Sequence, residues 1–188
     1  MADIHYFTDG SVMQHHQQIQ EWGSFGYVQY STDYDIVDCA VGYSIPDIHY
    51  LECLAIRLVL QKISATKNTT DSFIIFTDSS DTYSKIKNYI VEGDKKNLKS
   101  KTDYHNRLIV ETANMFKYMI DTLDYDIHLF CIKSHTNPIL QKRYMAEYGI
   151  EVNRYEARFI CKGSNLVDML VSNTARFHKA YPNLQYIK

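Results

Sequence analysis

The chain has 188 residues, 45% of them hydrophobic and 22% charged, with a formal net charge of −2. That is enough chain for one domain with a real core, and the composition is that of an ordinary soluble protein. The near-neutral charge argues against tight, non-specific phosphate binding. No apolar run approaches the roughly 20 residues needed to span a bilayer, and nothing after Met1–Asp3 reads as a secretion leader. The cysteines Cys39, Cys53, Cys131 and Cys161 form no Cys-x-x-Cys pair, which disfavours a zinc ribbon or a dithiol redox site. Three of them lie in apolar runs and read as buried thiols of an intracellular, cytoplasmic protein.

In chain order, "DIHYFTD" (3–9) reads as a first strand and "SVMQHHQQIQEWG" as a polar connection. "SFGYVQYST" (24–32) and "DIVDCAVGYS" (35–44) read as a second and third strand, close enough in sequence to form an antiparallel meander. The period then changes. Leu51, Leu54, Ala55, Leu58 and Val59 recur at helical spacing behind a candidate cap at Asp47. The apolar run in "DSFIIFTDSSD" (71–81) suits a strand covered on both faces, as in parallel pairing. Tyr83, Ile86 and Ile90 mark a short helix ending near Gly93, followed by a polar loop over 93–103 with Lys95, Lys96, Lys99 and Lys101. A longer helix runs through Leu108, Thr112, Met115, Phe116 and Met119, and "DIHLFCIKSH" (126–135) is a fifth strand. Beyond it, "ILQKRYMAEYGI" predicts a helix ended by Gly149, "EARFICK" a strand, and 163–180 a final helix. The order predicts a single α/β domain over 1–188. Its five-stranded mixed sheet has an antiparallel meander of strands 1–3, then parallel strands 4 and 5, and helices on both faces.

The carboxylates give this frame a chemistry. Asp9 in "FTDGS" and Asp78 in "IFTDSS" each follow an apolar run and a Thr. On parallel neighbouring strands, both emerge at the carboxyl edge, where open α/β sheets place their sites. Glu52 shares a helix face with Ala55, Ile56 and Val59, so it points inward and needs a partner. Asp168, between Val167 and Met169, reads as lying near the start of the last helix, where the dipole favours an anion. Four converging acids repel one another unless divalent cations are present. An all-oxygen set suits Mg²⁺ or Mn²⁺ rather than Zn²⁺, and two such ions can cleave a phosphodiester. Removing those four negative charges from the net −2 leaves the rest of the chain at +2.

These motifs resemble those of a type 1 ribonuclease H: "TDGS" at Asp9, "YLECLAI" at Glu52, "FTDSS" at Asp78, "KSH" at His135 and "GSNLVDML" at Asp168, in the family's order. The lysine loop lies near where some members carry a basic protrusion. Two features depart from the pattern. There are 32 residues between His135 and Asp168, which marks about 138–162 as an insertion. Asn165 stands three residues before Asp168, one closer than the family's usual place, which Ser164 occupies.

The resemblance implies a ribonuclease H-like fold and metal-dependent cleavage of the RNA strand of an RNA–DNA hybrid, giving 5′-phosphate products. It implies two Mg²⁺ ions (Mn²⁺ as substitute) held by Asp9, Glu52, Asp78 and Asp168. His135 would move protons, a role that suits imidazole. Gly10, Ser11, Ser79, Asn165 and the four lysines would contact substrate, the 2′-hydroxyl being what marks an RNA strand. The protein is expected to act as a monomer without a membrane, with 138–162 free to meet a protein partner. Competing readings are a nuclease of the same fold acting on DNA or structured nucleic acid, and a non-catalytic binding module. "TDGS" lacks the Asp-x-Glu of exonucleases on this fold, and the presence of all four acids disfavours the binding module.

Overall fold

Aromatic and β-branched residues drive the first three strands, β1 (Asp3–Met13), β2 (Trp22–Tyr30) and β3 (Ile36–Ser44), into an antiparallel meander. Helix α1 (Ile48–Thr66) follows, then β4 (Ser72–Thr77), α2 (Ser80–Glu92), α3 (Tyr104–Asp121), β5 (Asp126–Cys131), α4 (Pro138–Glu147), α5 (Arg154–Ser172), α6 (Thr174–Ala180) and the two-residue β6 (Tyr186–Ile187). The computed structural model describes residues 2–13, 22–67, 70–93, 104–184 and 186–187. The sheet order is β5-β4-β1-β2-β3-β6, with β4 and β5 parallel to β1. The expected five-stranded mixed sheet is therefore present, extended at one edge by β6 beside β3. No described helix is long and apolar enough to cross a membrane.

Alternation along the strands splits the core in two. Tyr6, Tyr27 and Ile75 face α1 and α3 through Ile56, Leu60, Leu108 and Phe116. Phe7, Val28 and Phe76 face the other way, against Met145, Ile160, Val167, Leu170 and Phe177 of α4, α5 and α6. All four cysteines are buried free thiols.

Three expectations are corrected. First, β1 does not stop at Asp9. Its parallel ladder with β4 ends at Thr8↔Thr77, but its antiparallel ladder with β2 continues to Met13↔Trp22. Second, "EARFICK" is helical, and α5 begins nine residues before the expected start at Gly163. The true cap is Asn153, which forms a reciprocal box with Glu156: Asn153 Oδ1 accepts from the Glu156 amide at 3.0 Å, and Glu156 accepts from the Asn153 amide at 2.6 Å. The buried positions Ala157, Ile160, Cys161, Ser164, Val167 and Val171 keep one helical period through Gly163. Third, the last helix breaks at Asn173, whose side chain accepts from the Arg176 amide and caps α6.

Gly163 is a packing glycine, not punctuation. A Cβ there would lie 2.3 Å from the Phe7 ring. That ring is hemmed in by Phe76 (centroids 4.8 Å apart), Phe159 (5.3 Å) and Tyr30 (5.6 Å), so it has nowhere to go. Gly163→Ala is expected to destabilise the protein by about 1–3 kcal/mol through overpacking, although alanine is the better helix former by about 1 kcal/mol. Urea denaturation measures this, and an unchanged or raised midpoint would refute the close approach of α5 to β1.

Candidate active site

The site grows out of the level ending of one ladder. Thr8 pairs with Thr77, so Asp9 and Asp78 are each the first residue beyond the β1–β4 pairing. The ending is pinned on both strands. Thr8 Oγ1 donates to the Phe76 carbonyl at 2.9 Å, and the Ile132 amide donates to the Thr77 carbonyl at 2.9 Å. Helix α1 delivers the third acid. It starts at Asp47, whose Oδ1 accepts from the Tyr50 amide at 3.2 Å. It can approach β1 because Gly10 has no side chain: a Cβ there would lie 2.8 Å from Leu51 Cβ and 2.9 Å from the Glu52 nitrogen. Helix α5 delivers the fourth. Asp168 stands one turn short of Ser172, and the hydroxyl of Ser24 on β2 donates to the Val171 carbonyl beside it.

Asp9 feels the charges of the other three carboxylates. Asp9 is 9% exposed and its Oδ1 accepts from the Gly10 amide at 2.7 Å. Burial and then the Asp78 charge push Asp9 well above the usual carboxylate range; the Gly10 bond opposes them, and Asp168 and Glu52 add to the rise. Burial also raises Asp78, against a Ser134 hydrogen bond, while Asp168 raises it further and His135 lowers it. Burial raises Glu52, against the Ser79 hydroxyl, and Asp78 raises it too. Ser79 has two tasks, because its Oγ also accepts from the Thr82 amide as the cap of α2.

Asp168 is not at the start of its helix as expected. It is near the end, where the dipole is negative and an anion is disfavoured. Asp78 Oδ1 is buried without a hydrogen-bond partner. Among the described residues no group of three or more His, Cys, Asp or Glu side chains is placed so that it could hold a metal ion. The chemistry of the donors nonetheless fits a hard divalent cation: the four acids offer only oxygen, and one buried oxygen, Asp78 Oδ1, has no hydrogen-bond partner.

Neither a protein-family model nor a curated protein sequence matches this chain. Solved structures do. A foamy viral protease–reverse transcriptase in complex with double-stranded DNA superposes with a TM-score of 0.54 at 16% identity, covering 92% of this chain and 95% of that one. LC9-RNase H1, described as a type 1 ribonuclease H with the type 2 active-site motif, gives 0.54 at 12% identity, covering 99% and 87%. The foamy viral enzyme in complex with an RNA/DNA hybrid gives 0.52 at 15% identity, covering 68% of this chain and 17% of that one. This chain has the ribonuclease H-like fold.

Within that fold, the remaining predicted residues fall in several places. His135 is exposed, on the connection after β5, with φ +47° and its charge felt at Asp78. Ser11 continues β1 opposite Ser24. Asn165 is exposed one turn before Asp168, and Ser164 is buried. Lys95, Lys96, Lys99 and Lys101, with His15 and His16, lie outside the described residues. Two neighbours of the acids escaped the sequence reading. His49 Nδ1 lies 3.8 Å from Glu52 and 3.9 Å from Asp81. Its i, i+3 spacing to Glu52 was the available signal. Ser134 sat unremarked inside the "KSH" motif.

A pH dependence follows for the metal-free protein. Asp9 has a folded pKa above its unfolded value, so its contribution to stability is full below the unfolded pKa and is lost as pH rises through the folded one. In chelator, the melting temperature is expected to fall as pH climbs from about 4 toward neutrality. Asp9→Asn keeps an acceptor for Gly10 and removes the charge. It should flatten that slope and raise the neutral-pH melting temperature, at about 2–4 °C per kcal/mol for a chain of this size. A variant that melts lower than wild type at pH 7 would contradict the repulsive cluster.

Proposed function

We propose that the chain is a type 1 ribonuclease H: a metal-dependent endonuclease that hydrolyses the RNA strand of RNA–DNA hybrids and leaves 5′-phosphate ends. The observation that supports this reading is the burial of Asp9 at the carboxyl edge of β1, within electrostatic reach of Asp78 after β4, Asp168 on α5 and Glu52 on α1. The fold shared with LC9-RNase H1 and the foamy viral enzymes supports it. On this reading residues 1–188 form one domain, with 138–162 as an insertion.

The four carboxylates, Asp9, Glu52, Asp78 and Asp168, would hold two divalent ions, Mg²⁺ or Mn²⁺. When bound, such a pair supplies Lewis acidity on both sides of an in-line displacement at phosphorus. The protein's own residues do the rest. Asp9 is held by the Gly10 amide, and Ser134 favours the charged form of Asp78. Glu52 is steadied by the Ser79 hydroxyl, at a place where an acceptor can meet a 2′-hydroxyl. Asn165 and the backbone around Ser11 are the further groups proposed to contact the substrate. His135, exposed and beside Asp78, exchanges a proton with the departing product. The four lysines of 94–103 and a nucleic-acid duplex have opposite charge.

The test is cleavage of matched RNA–DNA, RNA–RNA and DNA–DNA duplexes in Mg²⁺ and in Mn²⁺. The RNA of the hybrid alone should be cut. Asp78→Asn should lose at least about a hundredfold in rate, the scale of removing one electrostatic element from a site, while still folding. Folded wild-type protein that cuts no duplex in either metal, or that cuts all three alike, would sink this reading.

A further inference from the structure

The connection from β5 to α4 carries both Ser134 and His135. It leaves the sheet after Ile132, and no ladder holds it beyond that point. What holds it instead is helix α4. The Lys133 amide donates to Gln141 Oε1 at 3.2 Å, across the base of the loop. The Gln141 side chain is fully buried. Two further ties flank it: Tyr144 Oη lies 3.3 Å from Cys131 Sγ, and Met145 packs in the same cluster as Ile132. Asn137 starts α4 by accepting from the Ile139 and Leu140 amides, both at 3.0 Å, which fixes the far end of the loop.

Burying a glutamine amide is unfavourable unless its hydrogen bonds are made. Here only one half of the amide is used, because Nε2 has no partner among the described residues. A methionine would fill the same space at lower cost. Stability alone therefore does not account for a glutamine at this place. Direction does. The one bond Gln141 makes fixes the residue next to Ser134 and two before His135. His135 itself adopts a left-handed backbone that a non-glycine residue keeps only when its surroundings demand it.

We propose that Gln141 is a positioning residue. Through the Lys133 amide it sets the loop that presents His135, and this is the contribution of α4 to the site. The kinetic consequence rests on the ribonuclease reading; the structural one does not.

Two measurements separate them. Hydrogen exchange at the Lys133 amide reads the bond directly. Gln141→Met should lower its protection by at least about tenfold, while Gln141→Glu, which keeps an acceptor in place, should retain most of it. On an RNA–DNA hybrid, Gln141→Met should lower kcat by about 10- to 100-fold with KM unchanged. In a His135→Ala background the same change should cost less than about twofold, because the two residues act as one unit. Unchanged protection at Lys133, equal loss in both Gln141 variants, or full additivity with His135→Ala would each overturn the proposal. If wild-type protein does not cleave the hybrid, the ribonuclease reading fails, and the exchange measurement still decides whether Gln141 holds the loop.

Discussion

Asp9 is buried within electrostatic reach of three like charges, Asp78, Asp168 and Glu52, and burial removes the water that would screen their repulsion. Most of the local structure resists that repulsion. The paired ending at Thr8 and Thr77 sets two of the acids level. The missing side chain of Gly10 lets α1 come close enough to present Glu52. Ser79 and Ser134 each favour the charged form of one acid, Glu52 and Asp78. None of these contacts neutralises charge. They hold the negative groups in place; on the proposed function, cations between the carboxylates would compensate them.

Much of this was legible in the sequence. Period-2 runs gave the strands, the leucine spacing gave α1, and an acid at the end of an apolar run is conspicuous wherever it occurs. What failed, failed for physical reasons. Gly163 and Ser164 look like a helix start because glycine followed by a small polar residue usually marks a boundary. Here glycine is needed to clear the Phe7 ring, a requirement that no local pattern carries. The capping box at Asn153 and Glu156 was visible in principle, but a strand reading of "EARFICK" hid it. The end of β1 was misplaced because Asp-Gly resembles a turn, whereas Gly10 sits inside a ladder that continues with β2. His49 was passed over because its importance depends on which way Glu52 faces.

The misplaced start of α5 also reverses an energetic argument. At a helix N-terminus, Asp168 would be favoured by the dipole and would need no other explanation. One turn from the C-terminus it is opposed by the dipole, and its charge is felt at two other acids, Asp9 and Asp78. The two effects now act together, and both are relieved by positive charge at the same point.

The length of α5 becomes intelligible on the same terms. Asp9 and Asp78 are bonded into the sheet through their own strands, but Asp168 rides on a helix that joins no ladder. Repulsion at the site pushes that helix end away. The added turns at its other end carry Phe159, which meets Tyr30, His5 and Phe7 edge-on at 5.0, 5.2 and 5.3 Å and tilts against Tyr34 at 4.5 Å. Each such aromatic pair is worth about 0.5–1.5 kcal/mol beyond its buried area. Ile160 adds a buried aliphatic contact in the same turn. A helix ending closer to the expected start at Gly163 would lose this anchorage and keep the repulsion. The extension of α5 and the brace provided by α4 therefore answer one mechanical problem, which is to hold an unfavourable charge where the fold requires it.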